Sequence, residues 1–134
     1  MAGPGFTASP GSEQPEGTFV SLAQAIKGSV TVPVIAVGRF RTPEVAEAVL
    51  AEGKADMVAI GRQLIADPHW PQRVSEGRAE DIVPCISCNA CFETGFAGTG
   101  LRCAVNASAG RELETEIVPA ERARRVFVIG GGAA

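Results

Sequence analysis

Apolar positions in this chain follow two alternating rhythms. Phe19, Leu22, Ala23 and Ile26 recur at helical spacing, which predicts a short amphipathic helix over Phe19–Lys27 that Gly28 ends. Val32-Pro33-Val34-Ile35-Ala36-Val37 is instead a continuous apolar run, closed by Gly38-Arg39. Unbroken rather than alternating hydrophobicity is the mark of a strand buried on both faces, as in a parallel sheet. Thr42-Pro43-Glu44 then reads as N-cap, proline at the first helical position and an acid in the first turn. Val45, Ala48 and Val49 give that helix its apolar face, and Gly53 stops it. A second strand follows over Ala55–Ile60, closed by a second glycine–arginine pair, Gly61-Arg62. A helical segment runs on through Leu64 and Ile65, Asp67 caps a restart at Pro68, and Gly77 ends it.

The βα unit is thus used twice within residues 19–78, the arrangement of an α/β fold with a parallel sheet and helical crossovers. The flanks differ. Residues 1–18 are rich in Gly, Pro, Ser and Glu and are expected to be a loop or disordered lead-in. Residues 79–115 are rich in cysteine and glycine with little periodicity. In residues 116–134, Arg125-Val126-Phe127-Val128-Ile129 is a third buried-strand signal running into Gly130-Gly131-Gly132-Ala133-Ala134.

Composition narrows the partners. Twelve basic against fifteen acidic residues leave a formal charge of −3, with no basic run or face, so nucleic acid and acidic membrane are not expected partners. No apolar stretch approaches the roughly 18–20 residues that span a bilayer, and Met1–Gln14 lacks the basic and apolar regions of a secretory signal. A cytoplasmic, reducing setting is therefore expected, in which clustered cysteines hold metal more readily than they pair.

Chemistry is concentrated in three places. Gly38-Arg39 and Gly61-Arg62 close consecutive strands. In a (β/α)8 barrel the loops after strands 7 and 8 bind phosphate on backbone N–H groups; glycine lets the backbone approach and arginine adds a permanent charge with a fork of donors. Each pair is also compatible with a plain strand-ending turn and a solvated charge. Cys85-x2-Cys88-x2-Cys91-x11-Cys103 puts three thiolates on one loop and a fourth on a return segment. That suits the four iron corners of a [4Fe–4S] cube. Structural zinc, which more often uses two separated pairs, and disulfides or inert thiols remain as alternatives. His69, the only histidine, is not needed to complete the set, and Trp70 is expected to pack. Finally, Gly130 and Gly132 follow an apolar strand signal as in the opening of a dinucleotide-binding βαβ unit. The third glycine of that fingerprint would fall just past Ala134, so the chain reads as a fragment.

Taken in order, Val32–Arg39, Gly53-Lys54-Ala55-Asp56-Met57-Val58, Gly61-Arg62 with Asp67-Pro68, Pro84-Cys85-Ile86-x-Cys88-Asn89-x-Cys91, Cys103-Ala104-Val105-Asn106 and Val128–Gly132 resemble the 2,4-dienoyl-CoA reductase and trimethylamine dehydrogenase branch of the old yellow enzyme (NADH:flavin oxidoreductase) family. The resemblance covers residues 16–134. It implies the last two βα units of an FMN-binding (β/α)8 TIM barrel, then a [4Fe–4S] segment, then the first strand of a Rossmann-like domain binding FAD or NAD(P)H. By position, Gly38, Arg39, Gly61 and Arg62 match the FMN phosphate contacts, and Cys85, Cys88, Cys91 and Cys103 the cluster ligands. The parent enzyme would take a small-molecule substrate and NAD(P)H, reducing an enoyl or dienoyl thioester or oxidatively demethylating an amine; an oligomer is compatible with this. The x2 gap between Cys88 and Cys91 resembles the trimethylamine dehydrogenase side, since dienoyl-CoA reductases tend to have x3. Two βα units cannot close a barrel of about 250 residues, and the family's groups for hydride chemistry belong to earlier strands. No catalytic residue is therefore assigned, and no independent turnover is expected. The rival expectation is a small cysteine-rich zinc-binding or electron-carrier module without catalysis.

Overall fold

A computed structural model describes residues 10–116 and 118–130 of the chain. Helix α1 (Val20–Lys27), strand β1 (Ile35–Val37), helix α2 (Pro43–Ala51), strand β2 (Met57–Ala59) and helices α3 (Arg62–Ala66) and α4 (Trp70–Ser75) follow in the order that the sequence predicts. A 3-10 turn at Ala79–Asp81 leads to the cysteine segment, and α5 (Ala90–Phe96) lies within it, in a stretch of little hydrophobic periodicity.

The two strands pair in parallel, with Ile35 opposite Met57, Ala36 opposite Val58 and Val37 opposite Ala59. Asp56 extends the pairing by one step. Its N–H donates to the Val34 carbonyl (2.9 Å) and its carboxylate accepts the Val34 N–H (2.8 Å). Alternation along a strand puts Ala36 and Val58 on one face, where α1 and α2 close a core of Val20, Ala23, Val34, Ala36, Phe40, Ala46, Val49 and Ala55. Each buried valine contributes roughly 1.5–3 kcal/mol.

Several expectations are corrected. The strands are not buried on both faces: Ala36 is fully buried, but Ile35, Val37 and Met57 are 54%, 55% and 47% exposed, because no layer of described residues covers that side. On α1 the buried residues are Val20 and Ala23, while Leu22 and Ile26 face outward. On α2 the inward side carries Val45, Ala46 and Val49, and Ala48 is exposed. Thr42 sits at the N-cap of α2 without capping it; its hydroxyl donates to Glu16 Oε2 (3.1 Å). Asp67 does not cap α4 directly, since His69 occupies that position, but its carboxylate accepts the His69 N–H (3.0 Å) in a turn one step earlier. The third strand is not formed. Val126, Phe127, Val128 and Ile129 are 72–89% exposed and pair with no strand among the described residues, so apolar character had no sheet to join.

Gly53 and Gly77 stop their helices by the expected chemistry, whereas Gly28 ends α1 in the right-handed region at φ −66°. Gly53 has φ +65°, its N–H donates to Leu50 O (3.0 Å), and the Lys54 N–H reaches Val49 O (3.0 Å). This is the Schellman pattern, which takes a left-handed residue at its centre. Gly77 repeats it for α4 with φ +69°. No helix among the described residues is long and apolar enough to cross a membrane.

Candidate cofactor site

Both glycine–arginine pairs emerge at the carboxyl ends of the paired strands, Gly38-Arg39 just past β1 and Gly61-Arg62 just past β2. Parallel pairing places them side by side. With Val37, Arg41, Gln63, Cys85, Ser87 and Phe92 they line one cavity of about 150 Å³. That is below the roughly 300–1,000 Å³ of a complete small-molecule site.

The two glycines are there for different reasons. Gly38 has φ +146°, and a Cβ at that position would stand 2.9 Å from the Phe19 nitrogen and 3.2 Å from the Thr18 nitrogen. The preceding segment lies on it, with the Gly17 N–H donating to Gly38 O (2.7 Å). At Gly61 φ is −104° and a Cβ would meet nothing within 4 Å. Protein contacts explain the first glycine; open space at the cavity wall remains beside the second.

The arginines tie the cavity to the cysteine segment. Arg39, in the left-handed region at φ +59°, donates from Nε to Ser87 Oγ (3.0 Å) and from Nη1 to the Gln14 carbonyl. Arg62 donates from Nη1 to Asn89 Oδ1 and from Nη2 to the Pro10 carbonyl (2.6 Å), and its guanidinium lies 6.0 Å from the Phe92 ring centre. Arg41 also lines the cavity. It is held by Glu16 (2.8 Å) and donates to the Cys85 carbonyl (3.4 Å). Sequence reasoning missed Arg41, whose one available signal is the alternation of Arg39 and Arg41 about the buried Phe40.

Cys85, Cys91 and Cys103 are half-buried, Cys88 is exposed, and all four thiols are free. Two left-handed residues, Ser87 (φ +56°) and Asn89 (φ +62°), turn the chain between the first three cysteines. These turns direct the Ser87 N–H onto Cys85 Sγ (3.4 Å) and start α5. Burial pushes the Cys91 thiol above its usual range, and the nearby Cys85 and Cys103 add to this; the Phe92 N–H and Arg62 oppose it. The fourth cysteine, Cys103, lies on a separate segment beyond α5. Its segment is anchored by Asn106, whose side-chain amide donates to Ile65 O (2.8 Å). Among the described residues no three His, Cys, Asp or Glu side chains are gathered as ligands of a single metal ion. The four candidate donors are all thiols.

Of the remaining candidates, Gly130 is exposed with φ +83° and is not among the cavity-lining residues, and Gly132 lies outside the described residues. His69 is exposed, and Trp70 is buried with Nε1–H on Arg41 O (2.8 Å).

The sequence profile described as the NADH:flavin oxidoreductase / NADH oxidase family matches residues 7–81. The NADH oxidase of Thermoanaerobacter brockii is 51% identical over 122 residues, which are 89% of this chain and 19% of that protein. The metal reductase of Desulforamulus reducens is 46% identical over 121 residues, 90% of this chain and 18% of that protein. Among solved structures, the 2-naphthoyl-CoA reductase complex superposes with a TM-score of 0.78 at 36% identity, covering 84% of this chain and 18% of that one. Histamine dehydrogenase from Rhizobium sp. 4-9 gives 0.74 at 35% identity, with 78% and 15% covered. The chain spans about a fifth of the length of these curated relatives.

Proposed function

Because this chain belongs to the NADH:flavin oxidoreductase / NADH oxidase family, we propose that it supplies the FMN phosphate site and the four thiolate ligands of a [4Fe–4S] cluster in an NAD(P)H-linked oxidoreductase. The observation that carries this reading is the single cavity on which Gly38, Arg39, Gly61, Arg62 and Cys85 converge. Arg39 and Arg62 bring two permanent positive charges to it, and Gly61 leaves room for an oxygen-rich group to approach the backbone. Cys85 brings the cysteine segment to the same wall. When bound, FMN would supply hydride exchange with the substrate and the cluster one-electron transfer to or from it.

In the same reading β1–α2 and β2–α3 are the last two βα units of a (β/α)8 barrel. Both helices that close the core lie on one side of the sheet, and Ile35, Val37 and Met57 point to the other, where a barrel keeps its interior. Residues 79–115 form the cluster segment, and residues 116–134, with Gly130 and Gly132, open a nucleotide-binding domain. The NADH oxidase and metal reductase share 51% and 46% of aligned residues against 35% for histamine dehydrogenase. That difference favours a parent that draws electrons from NAD(P)H and reduces an acceptor over one that oxidises an amine, and a thioester acceptor is not favoured by it, since 2-naphthoyl-CoA reductase shares 36%.

Anaerobic reconstitution with iron and sulfide, followed by metal analysis and the visible spectrum, tests the reading. The expected product is brown, bleaches with dithionite and holds about four irons per chain. Tight zinc binding without that chromophore would overturn it in favour of a structural zinc module.

A further inference from the structure

The stretch Val83–Cys85 belongs to no helix or strand, yet its backbone is fully engaged on one side. The Val83 N–H donates to Asp67 Oδ2 (3.0 Å), the Val83 carbonyl accepts from Gln63 Nε2 (2.9 Å), and the Cys85 N–H donates to Gln63 Oε1 (2.8 Å). In an extended segment these three groups face the same way, and they are the ones a neighbouring strand would pair with. Pro84, between them, has no N–H to satisfy. Gln63 and Asp67 stand four residues apart at the two ends of α3, and each is only 2% exposed. One amide side chain, fully buried and bonded at both ends, thus does the job of a strand edge for the residue that begins the cysteine series.

We propose that Gln63 is a positioning residue for Cys85: its side-chain amide fixes the backbone from which the first thiolate projects, and so sets where that thiolate stands against the Gly38–Arg62 cavity. The role in cluster assembly rests on the iron–sulfur reading above; the clamp itself does not. Gln63 follows Arg62 directly, so the strand end that offers a guanidinium to the cavity also holds the loop that closes it. Apolar periodicity would have put Leu64 or Ile65 inward here, but both are half-buried while Gln63 is fully buried.

The test is residue-resolved amide hydrogen exchange on the unloaded chain, with Gln63→Met, which keeps side-chain length and removes both polar atoms. Exchange at Cys85 should accelerate about tenfold or more, because the acceptor of its N–H is gone, while the Lys54 amide, bonded within the α2 stop, serves as the fold control. Unchanged exchange at Cys85 overturns the proposal. Should Lys54 lose protection too, Gln63→Met has unfolded the chain and Gln63→Glu decides, since it keeps an oxygen for the Cys85 N–H. Protection retained at Cys85 in that variant supports the clamp; protection lost there with Lys54 intact overturns it. After reconstitution, Gln63→Met should hold less than about half the wild-type iron. Full iron with an unaltered electron paramagnetic resonance spectrum of the reduced cluster would overturn the positioning role. Wild-type chain that takes up no cluster would sink the iron–sulfur reading and leave the exchange result at Cys85 to judge Gln63.

Discussion

Arg62 and Asn89 lie twenty-seven positions apart and meet through a hydrogen bond from a guanidinium Nη1 to the amide Oδ1, in the middle of the cysteine loop. Arg62 is therefore shared between the cavity and the loop. Replacing it with alanine should weaken FMN binding about tenfold or more, since hydrogen bonds to a charged group contribute about 1.5–3 kcal/mol. Fluorescence titration with FMN and with riboflavin checks this. The variant should lose preference for the phosphorylated flavin, Arg62→Lys should keep part of it, and an unchanged preference would make Arg62 a loop anchor only.

The two glycines of the paired motif should respond oppositely. Gly38→Ala forces a Cβ to within 2.9 Å of backbone at a φ of +146° and should lower stability by more than about 1 kcal/mol. Gly61→Ala meets no atom within 4 Å and should leave stability within about 0.5 kcal/mol while reducing FMN affinity. Urea unfolding and flavin titration on both variants separate the effects. Equal FMN affinity in Gly61→Ala would exclude a ligand at that wall.

Cys88 is the exposed member of the four. Cys88→Ser should abolish assembly of the cluster, because a serine oxygen is a poor replacement for a thiolate at an iron corner. Iron and sulfide analysis after reconstitution is the measurement, and retention of about four irons would remove Cys88 from the ligand set.

Glu16 provides a pH-dependent contact. Burial pulls its carboxyl upward, but the Thr42 and Arg41 backbone N–H groups and the Arg41 guanidinium outweigh this and hold its pKa below the usual 4.5. A carboxyl depressed on folding contributes stability that is fully present above its unfolded value and is lost as pH falls through the folded one. Glu16→Gln should therefore cost about 1–2 kcal/mol at pH 7, and the gap to wild type should shrink on acidification well below pH 4.5. Urea midpoints at neutral and acid pH decide it; a gap of constant size would show that the charge contributes nothing.

Local chemistry made much of the fold readable in advance. The glycine stops at 53 and 77 work through a left-handed residue that any neighbour would require, and the two strand ends announce themselves by Gly-Arg. Burial was less readable because it depends on what lies opposite. Leu22 and Ile26 have the spacing of a buried face but no described residue to meet, and Val126–Ile129 have the hydrophobicity of a strand without a sheet. Along the cavity wall, residue type singled out Arg39, Arg62 and Cys85. Gln63 and Asn89 escaped, because a neutral amide acquires its role only when the fold brings a distant backbone to it.

Among the described residues the sheet consists of β1 and β2 alone, so each strand has one side with its N–H and C=O groups unpaired by a neighbour. Beside those edges lie Ile35, Val37 and Met57, with no cover over their face. Such a surface is a template for further strands. The isolated chain should therefore associate as its concentration rises, through the open edges of β1 and β2.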